Sequence, residues 1–230
     1  GVVDSIGEDV SAIKEGDRVW VLNGQWQRPF GTAAEYIVLP SKYVVQLARN
    51  STFEEGACFG IPFLTAHRAI FFDGAVTDKT LLIQGGAGAV GHHAIQVAKR
   101  EGARVIATVS GPEKGKIAMA AGADEILNYR DDDYVEQLLE LTNGRGVDRI
   151  IEVNLSANGS HYDRILATRG TAIIYGTDEP IAQVPAMNLI VRGAQLKWFI
   201  VYELTDSQLT TGIEYLNSML ADEALDTLIG

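Results

Sequence analysis

An apolar strand, Thr80-Leu81-Leu82-Ile83-Gln84, runs straight into Gly85-Gly86-Ala87-Gly88-Ala89-Val90-Gly91 and then into a helical stretch. Gly86, Gly88 and Gly91 thus form a G-x-G-x-x-G at a strand-to-helix turn. The first glycine permits the tight turn, the second lets a pyrophosphate approach the backbone, and the third lets helix and strand pack closely. N–H groups from Ala87 through Ala89 and Val90 then face the anion at the helix start. Gly102 is placed to stop the helix, and a second strand follows from Arg104. With its strand, helix and second strand in place, the turn points to a bound dinucleotide rather than to a bare glycine turn.

The alternation continues along the chain. Strand candidates begin at Thr80, Arg104, Asp124, Asp148, Thr171 and Gln195 (QLKWFIV). Helices are expected at Val90 to Glu101, Glu113 to Ala121, Tyr134 to Leu141, Ser160 to Thr168 and Pro185 to Val191. Strands apolar on both faces and separated by helices imply an α/β fold, a doubly wound parallel sheet of the Rossmann type. Before it, GVVDSIG, DRVWVL, AEYIVL and YVVQL read as short strands of a small β-barrel or sandwich. The stretch from Phe53 to Phe72 reads as helix, with Thr52 as N-cap, Glu54 and Glu55 in its first turn, and Pro62 bending it. A last helix is expected from about Asp206 to Leu220. The expected division is 1–52, 53–204 and 205–230.

Composition removes other classes. The 230 residues carry 19 basic and 30 acidic side chains, a net charge of −11, so bulk attraction to nucleic-acid phosphates is not expected. One cysteine, Cys58, cannot form an internal disulfide or a cysteine-rich zinc cluster, which points to a reducing, cytoplasmic setting. In its apolar helix it reads as a buried small hydrophobe. The longest apolar runs fall short of the ~20 residues that span a bilayer. No G-x-S-x-G elbow supports hydrolysis. Asp131-Asp132-Asp133 is expected to cap the helix at Tyr134.

Which dinucleotide binds depends on the end of the second strand, where an acidic residue usually holds the ribose 2′-hydroxyl. Here the chain reads Thr108-Val109-Ser110-Gly111-Pro112, with no carboxylate before Glu113. Ser110, Lys114 and Tyr129-Arg130 leave room and positive charge for a 2′-phosphate, so NADP(H) is expected over NAD(H).

Five segments in order, GVV-x-x-x-G at Gly1, KEGDRV at Lys14, PFLTA at Pro62, GGAGAVG at Gly85 and GVD-x-I-x-E at Gly146, resemble the quinone oxidoreductase (zeta-crystallin-like) branch of the medium-chain dehydrogenase/reductase superfamily. The resemblance implies a GroES-like catalytic domain beside the Rossmann domain, a site in the cleft between them, and a chain lacking segments at both ends. It therefore nominates no catalytic acid or base. It implies that Gly86, Ala87, Gly88, Ala89, Val90 and Gly91 hold pyrophosphate and that Ser110, Lys114 and Tyr129 surround the adenosine ribose. The nicotinamide half would meet Thr65, Asn158, Tyr175, Gly176, Thr177, Asp178, Trp198, Phe199, Ile200 and Val201, the last four in the sixth strand. Asn154 is a further polar candidate in the loop after Glu152.

Zinc-dependent members carry a cysteine where this chain has Ile61, and a four-cysteine lobe where Trp20 to Thr32 is cysteine-free. His67, His92, His93 and His161 show no ligand spacing, so no metal is expected. The implied activity is NADPH-dependent, zinc-independent hydride transfer to a quinone or other conjugated carbonyl. Alternatives are an enoyl (acyl-thioester) reductase and a cofactor-binding structural or RNA-binding protein. A homodimer or homotetramer is expected, paired through the edge strand QLKWFIV.

Overall fold

The computed structural model describes residues 1–229. The chain forms two compact units: Gly1–Leu64 with the segment from Leu204 onward, and Thr65–Glu203.

In the first unit β1 (Val19–Val21) pairs antiparallel with β2 (Val44–Gln46), and Val2 bridges Arg18. The strand expected at AEYIVL does not form. It finds no ladder partner among the described residues, and Tyr36 and Val38 are 74% and 84% exposed. Residues 1–52 thus hold a two-stranded ladder rather than a closed barrel.

Helix α1 (Phe53–Cys58) starts at a capping box. Thr52 Oγ1 accepts the Glu55 N–H at 3.1 Å, and the Glu55 carboxylate accepts the Thr52 N–H at 2.6 Å. The continuous helix expected up to Phe72 is broken by a π-helical turn, Phe59–Phe63, before α2 (Leu64–Phe71). Pro62 within that turn has no N–H to donate, and its ring crowds the preceding turn, so regular α-helix cannot run through it. Cys58 at the end of α1 is half-buried, not buried as expected, with its Sγ 3.8 Å from the Leu228 carbonyl.

In the second unit β3 (Thr80–Ile83), α3 (Ala89–Arg100), β4 (Arg104–Val109), α4 (Pro112–Ala120), β5 (Glu125–Asn128), α5 (Tyr134–Leu141) and β6 (Val147–Glu152) alternate as expected. The helix expected over Ser160 to Thr168 is replaced by α6 (Leu155–Asn158), a 3-10 turn and α7 (Tyr162–Ile165). Leu166 to Thr168 instead opens the long strand β7 (Leu166–Ile174), because Leu166 finds a ladder partner in Val147. Then follow α8 (Ala186–Arg192) and β8 (Gln195–Trp198). Back in the first unit, α9 (Asp206–Ala221) begins at a second capping box, Thr205 with Gln208.

All six strands of the sheet are parallel, in the order β5-β4-β3-β6-β7-β8. That is a doubly wound sheet whose order reverses between β3 and β6, where such folds place ligands. Leu82, Ile106, Leu127, Ile150, Ala172 and Ile174 share one face and pack under Tyr134, Leu138, Tyr162, Ile165 and Leu189. Burial of each such aliphatic side chain contributes about 1.5–3 kcal/mol.

On the other face Arg149 is fully buried. Its guanidinium donates to the carbonyls of Ile70, Gly74 (3.1 Å) and Asp73 (2.7 Å), closing the end of α2. The Asp73 carboxylate in turn accepts from Thr171 Oγ1 at 2.8 Å and pairs with Lys197. Ahead of α5, Asp133 sits at the N-cap, but its carboxylate takes the Gln137 amide at 2.8 Å instead of a backbone N–H. Among the described residues no helix is long and apolar enough to cross a membrane.

Candidate functional site

The glycine turn is fastened to β4 from below. Gly86 N–H donates to the Thr108 carbonyl at 2.9 Å, and Gly85 N–H donates to Thr108 Oγ1 at 3.1 Å. Gly85 has φ +74°, which glycine adopts without strain. At Gly91 a Cβ would lie 2.2 Å from the Gly85 carbonyl oxygen, so only glycine allows this approach of helix to turn. At Gly86 a Cβ would lie 2.7 Å from Ala107 Cβ.

Whereas α1 and α9 are closed by threonine side chains, α3 has Gly88 as N-cap and no side-chain cap. The N–H groups of Ala89, Val90 and Gly91 therefore have no acceptor within the helix. Like α4, α5 and α8, which also lack a side-chain cap, α3 presents backbone donors and a positive dipole end, and here they are flanked by the glycine turn.

Those donors face a cleft of about 320 Å³. Ala87, Gly88, Ala89, Val90 and Gly91 form one side; Ser110, Lys114 and Tyr129 close another, and Tyr175 contributes from the loop after β7. The structure thus brings together nine of the expected residues. Gly86 lies beneath the turn. Gly85, Val109 and Val153 also line the cleft and were not among the candidates. Counting strand ends would have found Val109 and Val153, which close or directly follow β4 and β6.

No carboxylate lines the cleft among the described residues. Glu113, the nearest acidic residue in sequence, pairs on the exposed side of α4 with Lys116 at 2.8 Å. Lys114 has no carboxylate partner among the described residues, so its ammonium remains available to an anion.

The remaining candidates do not line the cleft. Asn158 Nδ2 donates to Glu152 at 2.8 Å. Asp178 and Asn154 bind each other: Asn154 Nδ2 donates to the Asp178 carboxylate at 2.5 Å, and Asp178 N–H returns to Asn154 Oδ1 at 3.1 Å. Thr177 Oγ1 donates to the Glu179 carbonyl at 2.9 Å, and a Cβ on Gly176 would lie 2.3 Å from the Val153 carbonyl oxygen. Thr65 is buried in α2. The sixth strand ends at Trp198, which is 58% exposed and so belongs to neither the core nor the cleft. Phe199, Ile200 and Val201, expected within that strand, lie beyond it. Phe199 packs its ring 6.5 Å from Tyr175 and 5.8 Å from Phe72, while Val201 begins a 3-10 turn.

Glu152 was not singled out, although it organises one wall. Fully buried, its carboxyl group accepts the Asn154 N–H at 2.6 Å, Asn158 Nδ2 at 2.8 Å and the Tyr162 hydroxyl at 2.7 Å. Burial pushes its pKa above the ordinary carboxylate value, against the pull of those donors. Burial likewise raises the phenols of Tyr162 and Tyr175, and the Glu152 charge adds to it. His67 and His93 are pushed down to about 4, chiefly by burial.

Among the described residues no group of three or more His, Cys, Asp or Glu side chains is placed to hold a metal ion. Ile61, in the π-helical turn, offers no ligand atom. The residues present do not fit a zinc centre.

A family model for zinc-binding dehydrogenases matches residues 89–218. The quinone oxidoreductase of Sus scrofa is 31% identical over 209 residues, 90% of this chain and 62% of that protein. This chain therefore spans less than two thirds of that relative. A crystal structure of the Pseudomonas syringae pv. tomato quinone oxidoreductase superposes with TM-score 0.88 at 30% identity, covering 98% of this chain and 70% of that one. The Escherichia coli quinone oxidoreductase, crystallised in complex with NADPH, superposes with TM-score 0.86 at 26% identity over 100% of this chain and 71% of that one. With its sheet order, open glycine helix and matched segment, the chain belongs to the zinc-binding dehydrogenase family.

Proposed function

We propose that this chain is the cofactor-binding part of an NADPH-dependent, zinc-independent oxidoreductase that reduces a quinone or another conjugated carbonyl. The observation that carries the reading is a carboxylate-free cleft joining an uncapped helix start to Lys114. Backbone N–H groups of Ala89, Val90 and Gly91 would hold the pyrophosphate, while Ser110, Lys114 and Tyr129 would hold the ribose 2′-phosphate. Val153 and Tyr175 would form the wall toward the nicotinamide. When bound, the cofactor supplies hydride from C4; the protein holds donor and acceptor together and keeps water out. The relatives named above support the choice of a quinone, and the GroES-like assignment of residues 1–52 and 205–230 belongs to the same reading. Cys58, as a lone thiol, suits the cytoplasm.

Titration with NADPH and NADH tests this. Lys114→Ala is expected to weaken NADPH by roughly 10–100-fold, the loss of one charge-assisted hydrogen bond, and to leave NADH unchanged. Equal weakening of both would remove Lys114 from the 2′-phosphate. NADPH oxidation by quinones, but not by crotonyl thioesters, supports the quinone over the enoyl reductase; the reverse result exchanges them.

We also propose that two copies pair along β8. This strand is an open edge of the sheet, and beside it α8 exposes Met187, Ile190 and Val191. Sedimentation is expected to give a dimer that Ile190→Asp converts to monomer; a monomeric wild type refutes it.

A further inference from the structure

The ladder between β6 and β7 ends at Glu152 and Ile174, and the Tyr175 N–H carries it one step further by donating to the Glu152 carbonyl at 3.1 Å. The next position therefore sets Val153 beside Tyr175, and both line the cleft. Val153 stands against the glycine turn, since a Cβ on Gly85 would meet its Cγ1 at 3.5 Å. Tyr175 is backed by Phe199, with ring centroids 6.5 Å apart. Beyond these two residues the strands separate. From Leu155 the chain enters α6, and residues 175–185 carry no helix or strand and are exposed from Thr177 to Ile181. An exposed, irregular segment of that kind opens first unless side chains hold it.

Asn154 holds it. Its Nδ2 donates to the Asp178 carboxylate at 2.5 Å, and its Oδ1 accepts both the Asp178 N–H at 3.1 Å and the Ser156 hydroxyl at 2.8 Å. Because Oδ1 takes two donors while Nδ2 faces a carboxylate, only one orientation of the amide satisfies every partner. The Asn154 N–H is meanwhile held by the buried Glu152 carboxyl group at 2.6 Å, so the clasp is anchored in the core. Two further bonds run alongside: the Leu155 N–H donates to the Gly176 carbonyl at 3.2 Å, and the Glu179 N–H donates to Ser156 Oγ at 3.3 Å. Neither Asn154 nor Asp178 lines the cleft, yet Asn154 directly follows one wall residue, Val153, and Asp178 lies just beyond the other, Tyr175.

We infer that Asn154 and Asp178 are positioning residues that clasp the loop after β6 to the loop after β7 and so set Val153 and Tyr175 for the nicotinamide half of the dinucleotide. They act through those two residues and not by contact. The inference rests on the cofactor reading given above. It confines the effect of the clasp to one end of the cleft, because Ser110, Lys114 and Tyr129 stand on β4, α4 and the turn after β5, to which the clasp makes no bond.

NADPH and adenosine 2′,5′-bisphosphate, which carries phosphates on the ribose but no nicotinamide, probe the two ends separately. Asn154→Asp keeps the shape of the side chain and its Oδ1 acceptor but sets two carboxylates against each other. It is expected to raise the Kd for NADPH about tenfold, the scale of one lost charge-assisted hydrogen bond, and to leave the bisphosphate within about twofold. Adding Asp178→Asn turns the pair round, with an amide at 178 donating to a carboxylate at 154, and should return NADPH to within about threefold of the wild type. Equal weakening of both ligands would show that the clasp serves the fold at large and would overturn the inference, as would an NADPH affinity that the double variant does not recover. A wild type that binds both ligands, with Asn154→Asp unchanged, sinks the inference alone. One that binds no NADPH sinks the cofactor reading and the inference with it.

Discussion

Gly91→Ala should raise the Kd for NADPH by at least about a hundredfold and lower the stability of the fold by roughly 1–3 kcal/mol or more. Its Cβ would stand 2.2 Å from the Gly85 carbonyl oxygen, 2.8 Å from that carbonyl carbon and 2.9 Å from Gly86 Cα. All three are backbone atoms of a turn already bonded to Thr108, so no side chain can swing away. Either α3 shifts and its N–H groups leave the cleft, or the turn opens and loses the Gly85 and Gly86 bonds. Gly7→Ala is the matched control: the nearest atom to its Cβ is a Val10 methyl at 4.0 Å. Fluorescence titration and thermal melting of the two variants measure the contrast. NADPH affinity in Gly91→Ala within threefold of wild type would show that the close approach does not serve the cofactor.

Acid should unfold the protein well above the pH at which its ion pairs fail. His67 and His93 are buried with pKa values pushed down to about 4, chiefly by desolvation. Unfolded, each takes a proton near pH 6.5, so between about 6.5 and 4 the unfolded state binds more protons and stability falls as pH falls. Two such groups give a slope of up to about 2.7 kcal/mol per pH unit, and the summed loss near pH 4 rivals the whole stability of an ordinary domain. Glu152 acts in the opposite sense, since burial raises its pKa and the folded state gains that proton first. Asp73, Asp124 and Asp148 are held below the ordinary range once their hydrogen bonds outweigh burial, so their contribution is lost only at lower pH. Urea midpoints from pH 7 to 4.5 measure the slope. His93→Gln should cut it by about half, whatever its effect at pH 7; an unchanged slope would refute the assignment.

The alternating half of the chain was legible because a parallel sheet covered on both faces writes itself as apolar runs between helices. Tyr134 to Leu141 is found where periodicity puts it, and the helices expected from Val90, Glu113 and Pro185 are shifted by one residue. Reading failed where partners at long range decide. AEYIVL has strand composition but no ladder, and Leu166 to Thr168 has helical neighbours but pairs with Val147. At the cleft the glycine turn, Ser110, Lys114 and Tyr129 were visible because motif spacing and strand ends locate them. Thr108 and Glu152 were not, since their meaning lies in a cross-strand register that no short motif records.

The Arg149, Asp73 and Lys197 cluster has a bearing on how the sheet assembles. Side chains along a strand alternate faces, so sliding β7 or β8 by one residue against its neighbour would turn Thr171 or Lys197 to the opposite side. Either slip removes a ligand from the half-buried Asp73 carboxylate, whereas the Val, Ile and Leu positions beside them would tolerate the exchange. The cluster therefore acts as a proofreading mark for register slippage in strands whose apolar sequences are otherwise nearly interchangeable.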